Sequence, residues 1–200
     1  KWNYQIRQAD KVSWAIARAF YIATTGRPGP VVLDFTKDAQ VGMTEFSYHK
    51  CQFIRSYVPE RELDDMAISN AARLINSARK PLLVFGQGIT ISGAEKELYG
   101  FLEKADIPAG STLLGLSALP SDFELYEGMI GMHGNIAPNA KTNECDVLIA
   151  VGMRFDDRVT GTVSTYAKQA KVIHIDIDAS EIGKIEKADI GIIGDAKKVL

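Results

Sequence analysis

The sequence predicts an α/β protein: a doubly wound, mostly parallel sheet with helices on both faces. Three observations carry this. Short apolar runs at 81–85, 146–151, 171–176 and 190–193 have the length and continuity of strands buried on both faces. Segments of helical period lie between several of them. Strand and helix alternating in this way build parallel βαβ units.

Taken in order, Val12, Ile16, Phe20 and Ala23 share one helical face, and Gly26 with Pro28 ends that helix. Residues 26–30 are a turn and 30–35 a short strand. From Thr36 the periodicity fades, so 1–40 reads as the last helix and strand of a preceding domain and 41–62 as a linker. One helix and one strand do not make a core of their own. The main domain, 63–200, opens on a helix at 63–78, followed by the strand 81–85 and Gly86-Gln87-Gly88. A helix over about 93–105 and a short strand at 108–112 follow, then an irregular glycine-rich stretch through Gly134. A weak helix at 135–143, the strand 146–151 ending at Gly152, and the strand 171–176 come next. A short helix at 180–187 and a last strand at 190–193, ending in Gly194-Asp195, close the chain.

Composition narrows the function. Lys plus Arg is 23 against 25 Asp plus Glu, a net charge of −2 that argues against a basic nucleic-acid binder. The longest apolar run, 147–153, is far below the roughly 20 residues of a membrane helix. No signal-peptide pattern appears at 1–11. Cys51 and Cys145 are isolated from each other and from any ligand spacing, which points to a reducing, cytoplasmic compartment and to no metal site. A first residue of Lys suggests a fragment of a longer chain.

Ligands of open parallel sheets bind beyond the carboxyl ends of the strands. The residues there are Gly86 and Gly88, Thr112 and Leu113, Gly152, Arg154, Asp156, Asp157 and Arg158, Asp176 and Asp178, and Gly194 with Asp195. Glycine allows backbone N–H groups close to a diphosphate, arginine adds planar charge-assisted bonds, and an acid ending a later strand suits a ribose. Asp176 follows Gly152 by roughly the 20 residues of a dinucleotide fold. Together they describe a dinucleotide crevice. Singly, each has a plainer reading: Gly86-Gln87-Gly88 as a turn, Asp178 with Glu181 as a capping box, Asp157 with Arg158 as a surface pair. Arg154, directly after a buried strand, is the best single candidate. His133 is either a loop histidine or part of a cofactor wall, and His49 and His174 read as structural. No zinc, serine-hydrolase or P-loop motif is present and no nucleophile–base pair stands out, so no catalytic residue is assigned.

The segments 26–38, 128–134, 145–152, 154–161 and 174–178 carry a resemblance covering essentially the whole chain. They are similar to the end of the pyrimidine-binding domain and to the Rossmann-like central domain of the acetohydroxyacid (acetolactate) synthase catalytic subunit. The run Arg154-Phe155-Asp156-Asp157-Arg158 is its most specific part. The resemblance implies a thiamine-diphosphate and Mg2+-dependent enzyme that condenses pyruvate with pyruvate or 2-oxobutyrate, releasing carbon dioxide, in valine, leucine and isoleucine biosynthesis. It implies an FAD without net redox chemistry, touching Arg27, Gly86, Gly88, Thr112, Leu113, Ile130, Met132, His133, Gly152, Arg154, Asp156, Arg158, Val159, Asp176, Ile177 and Asp195. Met132, Asp157 and Arg158 match positions lining the family's herbicide and substrate channel. Gln87 stands where the family has a third consecutive glycine, and Thr36 where Pro is common. The thiamine-activating glutamate and the magnesium-diphosphate motif fall outside the 200 residues, so the fragment is expected to be inactive alone. The implied partners are the rest of the catalytic subunit, a second or further copies (homodimer or tetramer), and a small regulatory subunit. Two other readings compete: an NAD-binding oxidoreductase or deacylase, for which only His133 could serve the nicotinamide, and a non-catalytic nucleotide-binding module.

Overall fold

Alternation in the strand sequences becomes two buried layers in the computed structural model, which describes residues 1–200 and divides into units 1–60 and 61–200. In the first unit, Trp2, Tyr4 and Ile6 turn to one side of strand β1 (Trp2–Ile6), which the sequence reading did not include. β1 pairs in parallel with β2 (Val31–Phe35), and helix α1 (Val12–Thr24) links them. This βαβ unit has its own small core of Ile6, Ala15 and Ala39, backed by Tyr4, Val12 and Leu33. The buried positions of α1 are Ala15, Ala17, Ala19 and Ile22, while Phe20 of the expected apolar face is exposed. Small side chains let the helix lie close, and the bulky ring turns outward. Thr36 caps helix α2 (Lys37–Val41) by accepting the Ala39 N–H at 3.4 Å. Residues 41–60, expected as a linker, belong to this unit: the Tyr57 hydroxyl donates to the Thr25 carbonyl (2.7 Å), and Lys1 Nζ donates to Tyr57 (3.0 Å).

The second unit begins with helix α3 (Asp65–Ser77), whose N-cap Asp64 accepts the Met66 and Ala67 N–H groups. Its sheet contains β3 (Pro81–Phe85), β4 (Ala109–Ser111), β5 (Tyr126–Met129), β6 (Val147–Val151), β7 (Lys171–Asp176) and β8 (Ile190–Ile193). All pairs are parallel, in the order β5-β4-β3-β6-β7-β8. Leu83, Phe85, Ile149, Val151, Ile173 and Ile192 face one layer, with Ala71 of α3 and Leu98 and Leu102 of helix α5 (Glu95–Ala105). Leu82, Val84, Leu148, Ala150 and Val172 face the other, covered by Ile130, Phe155, Tyr166 and Ala167. Each of these large side chains contributes about 1.5–3 kcal/mol by leaving water.

Besides α2, three short helices are absent from the expected elements: α4 (Gly88–Ser92), α7 (Asp157–Thr160) and α8 (Ala196–Val199). Helix α6 (Ile136–Thr142) lies within the expected 135–143. Strand β5 was hidden because Gly128, at φ 104°, interrupts its apolar pattern. The expected helix at 180–187 is a series of turns and bends. Asp178 Oδ1 takes both the N–H and the hydroxyl of Ser180, and Gly183 adopts φ 69°, so no helix propagates. No helix of the chain is long and apolar enough to cross a membrane.

Candidate functional site

After β3 the chain moves outward to β4 and β5, then returns with β6 on the other side of β3. The order of the sheet reverses between β3 and β6, which is where open α/β sheets hold their ligands. Six carboxyl ends at about 4.8 Å spacing give an edge roughly 24 Å long.

At the reversal, the loops after β3 and β6 meet backbone to backbone. Gly86 N–H donates to the Val151 carbonyl (3.0 Å), Gly88 N–H to Gly152 (2.9 Å), and Gly152 N–H to Ile175 (2.8 Å). A Cβ on Gly88 would lie 2.5 Å from Gly152 Cα, and one on Gly152, at φ 57°, 2.7 Å from Gly88 Cα. These glycines are therefore explained first by their approach to each other. Their amides are engaged within the protein, donating to the Val151, Gly152 and Ile175 carbonyls. Gln87, at the tip between them, is exposed.

Arg154 leaves β6 two residues beyond this seam. Its guanidinium is half exposed and reaches Asp156 at 3.2 Å. An exposed pair of this kind is worth at most about 1 kcal/mol, so the arginine can readily turn to an anion. Asp156 also caps α7, accepting the Arg158 N–H at 3.2 Å. Beside Arg154 lies an open cavity of about 320 Å³ bounded by Asp156, Thr160, Glu181, Lys184 and Ile185. Glu181 is buried there and accepts from Lys184 (3.3 Å), a place that the capping-box reading did not give it.

On the β5 side, the loop 130–134 lies against α7. Met132 N–H donates to the Arg158 carbonyl (2.8 Å), an Arg158 nitrogen sits 3.6 Å from Met132 Sδ, and a Cβ on Gly131 would be 2.4 Å from that same carbonyl. This brings Met132, Arg158 and Val159 together, with Ile130 buried beneath and Met132 and His133 exposed. Thr112, held to β3 by its N–H on the Phe85 carbonyl (2.9 Å), leads into exposed Leu113 and Leu114. At the other end, buried Asp176 accepts the Asp178 N–H (2.8 Å) and is followed by half-buried Ile177. Asp195 begins α8, accepting the Lys197 N–H at 3.0 Å, and neighbouring Gly194 donates to the Asp176 carbonyl (3.0 Å). Arg27 belongs to the first unit, exposed in the turn after α1.

Two buried groups are thereby set aside from chemistry. Burial pushes the Cys145 thiol up to about 12, so it is no thiolate nucleophile. His174 is buried in β7, with Nε2 3.0 Å from the Met153 carbonyl, and burial lowers its pKa below the usual 6.5. It supports the Arg154 loop from below as a neutral ring. Among polar residues on the edge, Asn135 and Asn139 carried no sign of a role in the sequence. Amide side chains that bond to backbone carry no spacing signature.

An all-parallel sheet whose order reverses beside a glycine seam, with arginines on one side of it and acids closing the next strands, defines a doubly wound, Rossmann-like class of α/β domain. The chain belongs to the thiamine pyrophosphate enzyme family: the family model for its central domain matches residues 68–200.

Among curated proteins, the acetolactate synthase large subunit of Corynebacterium glutamicum is 42% identical over all of this chain and 32% of its own length. That of Lactococcus lactis subsp. lactis is also 42% identical, over all of this chain and 35% of its own. The chain thus spans about a third of the length of the curated relatives it matches. In fold it resembles a Mycobacterium smegmatis protein assigned as a thiamin diphosphate-dependent enzyme. The TM-score is 0.78 at 24% identity, covering all of this chain and 38% of the other.

Proposed function

We propose that the chain is a part of an acetolactate synthase catalytic subunit, and that its second unit binds FAD along the carboxyl edge of the sheet in a non-redox, structural role. The parent enzyme joins pyruvate to pyruvate or 2-oxobutyrate with loss of carbon dioxide, using thiamine diphosphate and Mg2+ held by other parts of that subunit. It works in the cytoplasm as a homo-oligomer with a small regulatory subunit. These 200 residues alone make no acetolactate.

The observation that supports this most is the asymmetry of the edge. Apolar Leu113 and Leu114 stand exposed after β4, and Met132 after β5. Arg154 and Arg158 stand exposed after β6, and the carboxylates Asp176 and Asp195 close β7 and β8. That sequence suits a flat apolar ring, a diphosphate and a hydroxyl-bearing sugar in turn, which is the chemistry of a flavin dinucleotide. The glycine amides take no part, and charge-assisted bonds from the arginines supply the phosphate recognition. When bound, FAD supplies a rigid filling between elements of the edge, and the residues of this chain orient it.

The test is thermal unfolding of the purified chain with FAD and, separately, with NAD. FAD at 100 times its dissociation constant should add about 2.7 kcal/mol, raising the melting midpoint by roughly 5–10 °C. NAD shifting the midpoint as much as FAD would favour the oxidoreductase reading, and no shift with either would defeat nucleotide binding. Acetolactate formed from pyruvate by the chain alone would refute the proposed inactivity.

A further inference from the structure

The loop 130–134 starts from Ile130, buried in the core, and presents Met132 and His133 at the edge, with Gly131 at φ 95° between them. Its turn at Gly131 is fixed by a side chain of α6. Asn139 accepts the Gly131 N–H on Oδ1 (2.8 Å) and donates from Nδ2 to the Gly131 carbonyl (2.9 Å). Both backbone groups of one residue are thus paired by a single amide, as a neighbouring strand would pair them. The opposite side of the loop lies against α7 through Met132 N–H on the Arg158 carbonyl (2.8 Å). Asn135 secures the approach: its Oδ1 accepts the Met129 N–H (3.0 Å) while its own N–H donates to the Met129 carbonyl (2.7 Å).

We infer that Asn139 is a positioning residue: by clamping Gly131 it sets the loop against α7 and so holds Met132 and His133 in place for the ring end of the ligand. Its consequence for the ligand rests on the FAD reading; the clamp itself does not. Leucine in place of Asn139 keeps a similar volume and removes both bonds. Two net hydrogen bonds of about 0.5–1.5 kcal/mol each correspond to at least about a fivefold change in the loop's opening equilibrium. Thr142 is the control. Its buried hydroxyl donates to the Pro138 carbonyl (2.8 Å) within the same helix and touches no part of the loop.

The experiment measures amide hydrogen exchange at Gly131 and Met132 by NMR, together with FAD titration, in the whole chain. In Asn139→Leu, exchange at Gly131 should accelerate at least about fivefold and FAD affinity fall by a similar factor. Thr142→Val should lower the melting midpoint while leaving Gly131 protected. If Asn139→Leu does not fold, Asn139→Asp serves instead. It retains an acceptor for the Gly131 N–H but turns a carboxylate oxygen toward the Gly131 carbonyl, and the same acceleration is expected. Unchanged Gly131 exchange in the variant overturns the inference. Faster exchange with undiminished FAD binding overturns the positioning role. Faster exchange in a chain whose parent form binds no FAD upholds the clamp and defeats the cofactor reading.

Discussion

Replacing Gly152 by alanine tests the glycine seam directly, because two separate costs can be worked out for it. Its φ of 57° is left-handed, which costs a residue with a Cβ about 1–2 kcal/mol. The added Cβ would also lie 2.7 Å from Gly88 Cα, about 1 Å inside the separation that carbon atoms prefer. Both partners are backbone, so relief requires spreading the ends of β3 and β6, an overpacking cost of about 1–3 kcal/mol. Together this is roughly 2–5 kcal/mol, or a fall of about 5–15 °C in the melting midpoint for a chain of this size. Gly93 separates the two parts: it has a similar φ of 64°, with nothing within 4 Å of its added Cβ. Gly93→Ala should therefore cost only the conformational share, about 1–2 kcal/mol. Thermal or urea unfolding of the two variants beside the parent chain reads the difference. Equal losses would refute the claim that close approach of the two loops dictates glycine at 152.

Two further outcomes are expected. Arg154→Ala should weaken FAD binding more than tenfold, since a charge-assisted phosphate bond is worth about 1.5–3 kcal/mol; an unchanged flavin titration would remove Arg154 from the site. His174 predicts a pH dependence. Its folded pKa lies below the unfolded value near 6.5 because burial opposes the charged ring, outweighing the Met153 carbonyl and the Asp176 and Glu181 carboxylates, which raise it. The unfolded chain therefore binds the proton more readily, so stability is full above pH 6.5 and declines as pH falls below it. Urea midpoints between pH 7.5 and 5.5 should show that slope, and His174→Gln should flatten it. Asp146 and Asp189, with pKa values held below 3.8, titrate outside that window.

The parts of the fold evident from sequence were those buried on both faces. Strands β3, β6 and β7 announce themselves because Leu82–Phe85, Val147–Val151 and Val172–Asp176 are buried throughout, while the edge strand β8, with only Ile192 buried, shows through its run of isoleucines. Strand β1 was also within reach, since Trp2, Tyr4 and Ile6 alternate, yet an edge strand at a chain start offers only five residues of pattern. Strand β5 was not, because Gly128 and a register shift beside Gly110 erase its period. For the site, strand-end position alone drew attention to Arg154 and Asp176. It also drew attention to the glycines, without showing that they approach each other. Gly88 and Gly152 lie next to one another across a strand boundary more than sixty positions long, and nothing in either tripeptide says that the other is its neighbour. The same holds for Asn139, whose partner is a backbone group.

Interlocked β3 and β6 tips have a kinetic meaning as well. With the Gly86, Gly88 and Gly152 amides satisfied internally, the proposed nucleotide would meet a floor that is already set and need to organise little beyond flexible arginine ends. Association should then be quick and sensitive to ionic strength, as expected for charge-steered docking on a preorganised surface. Release, rather than capture, would govern how long the molecule stays.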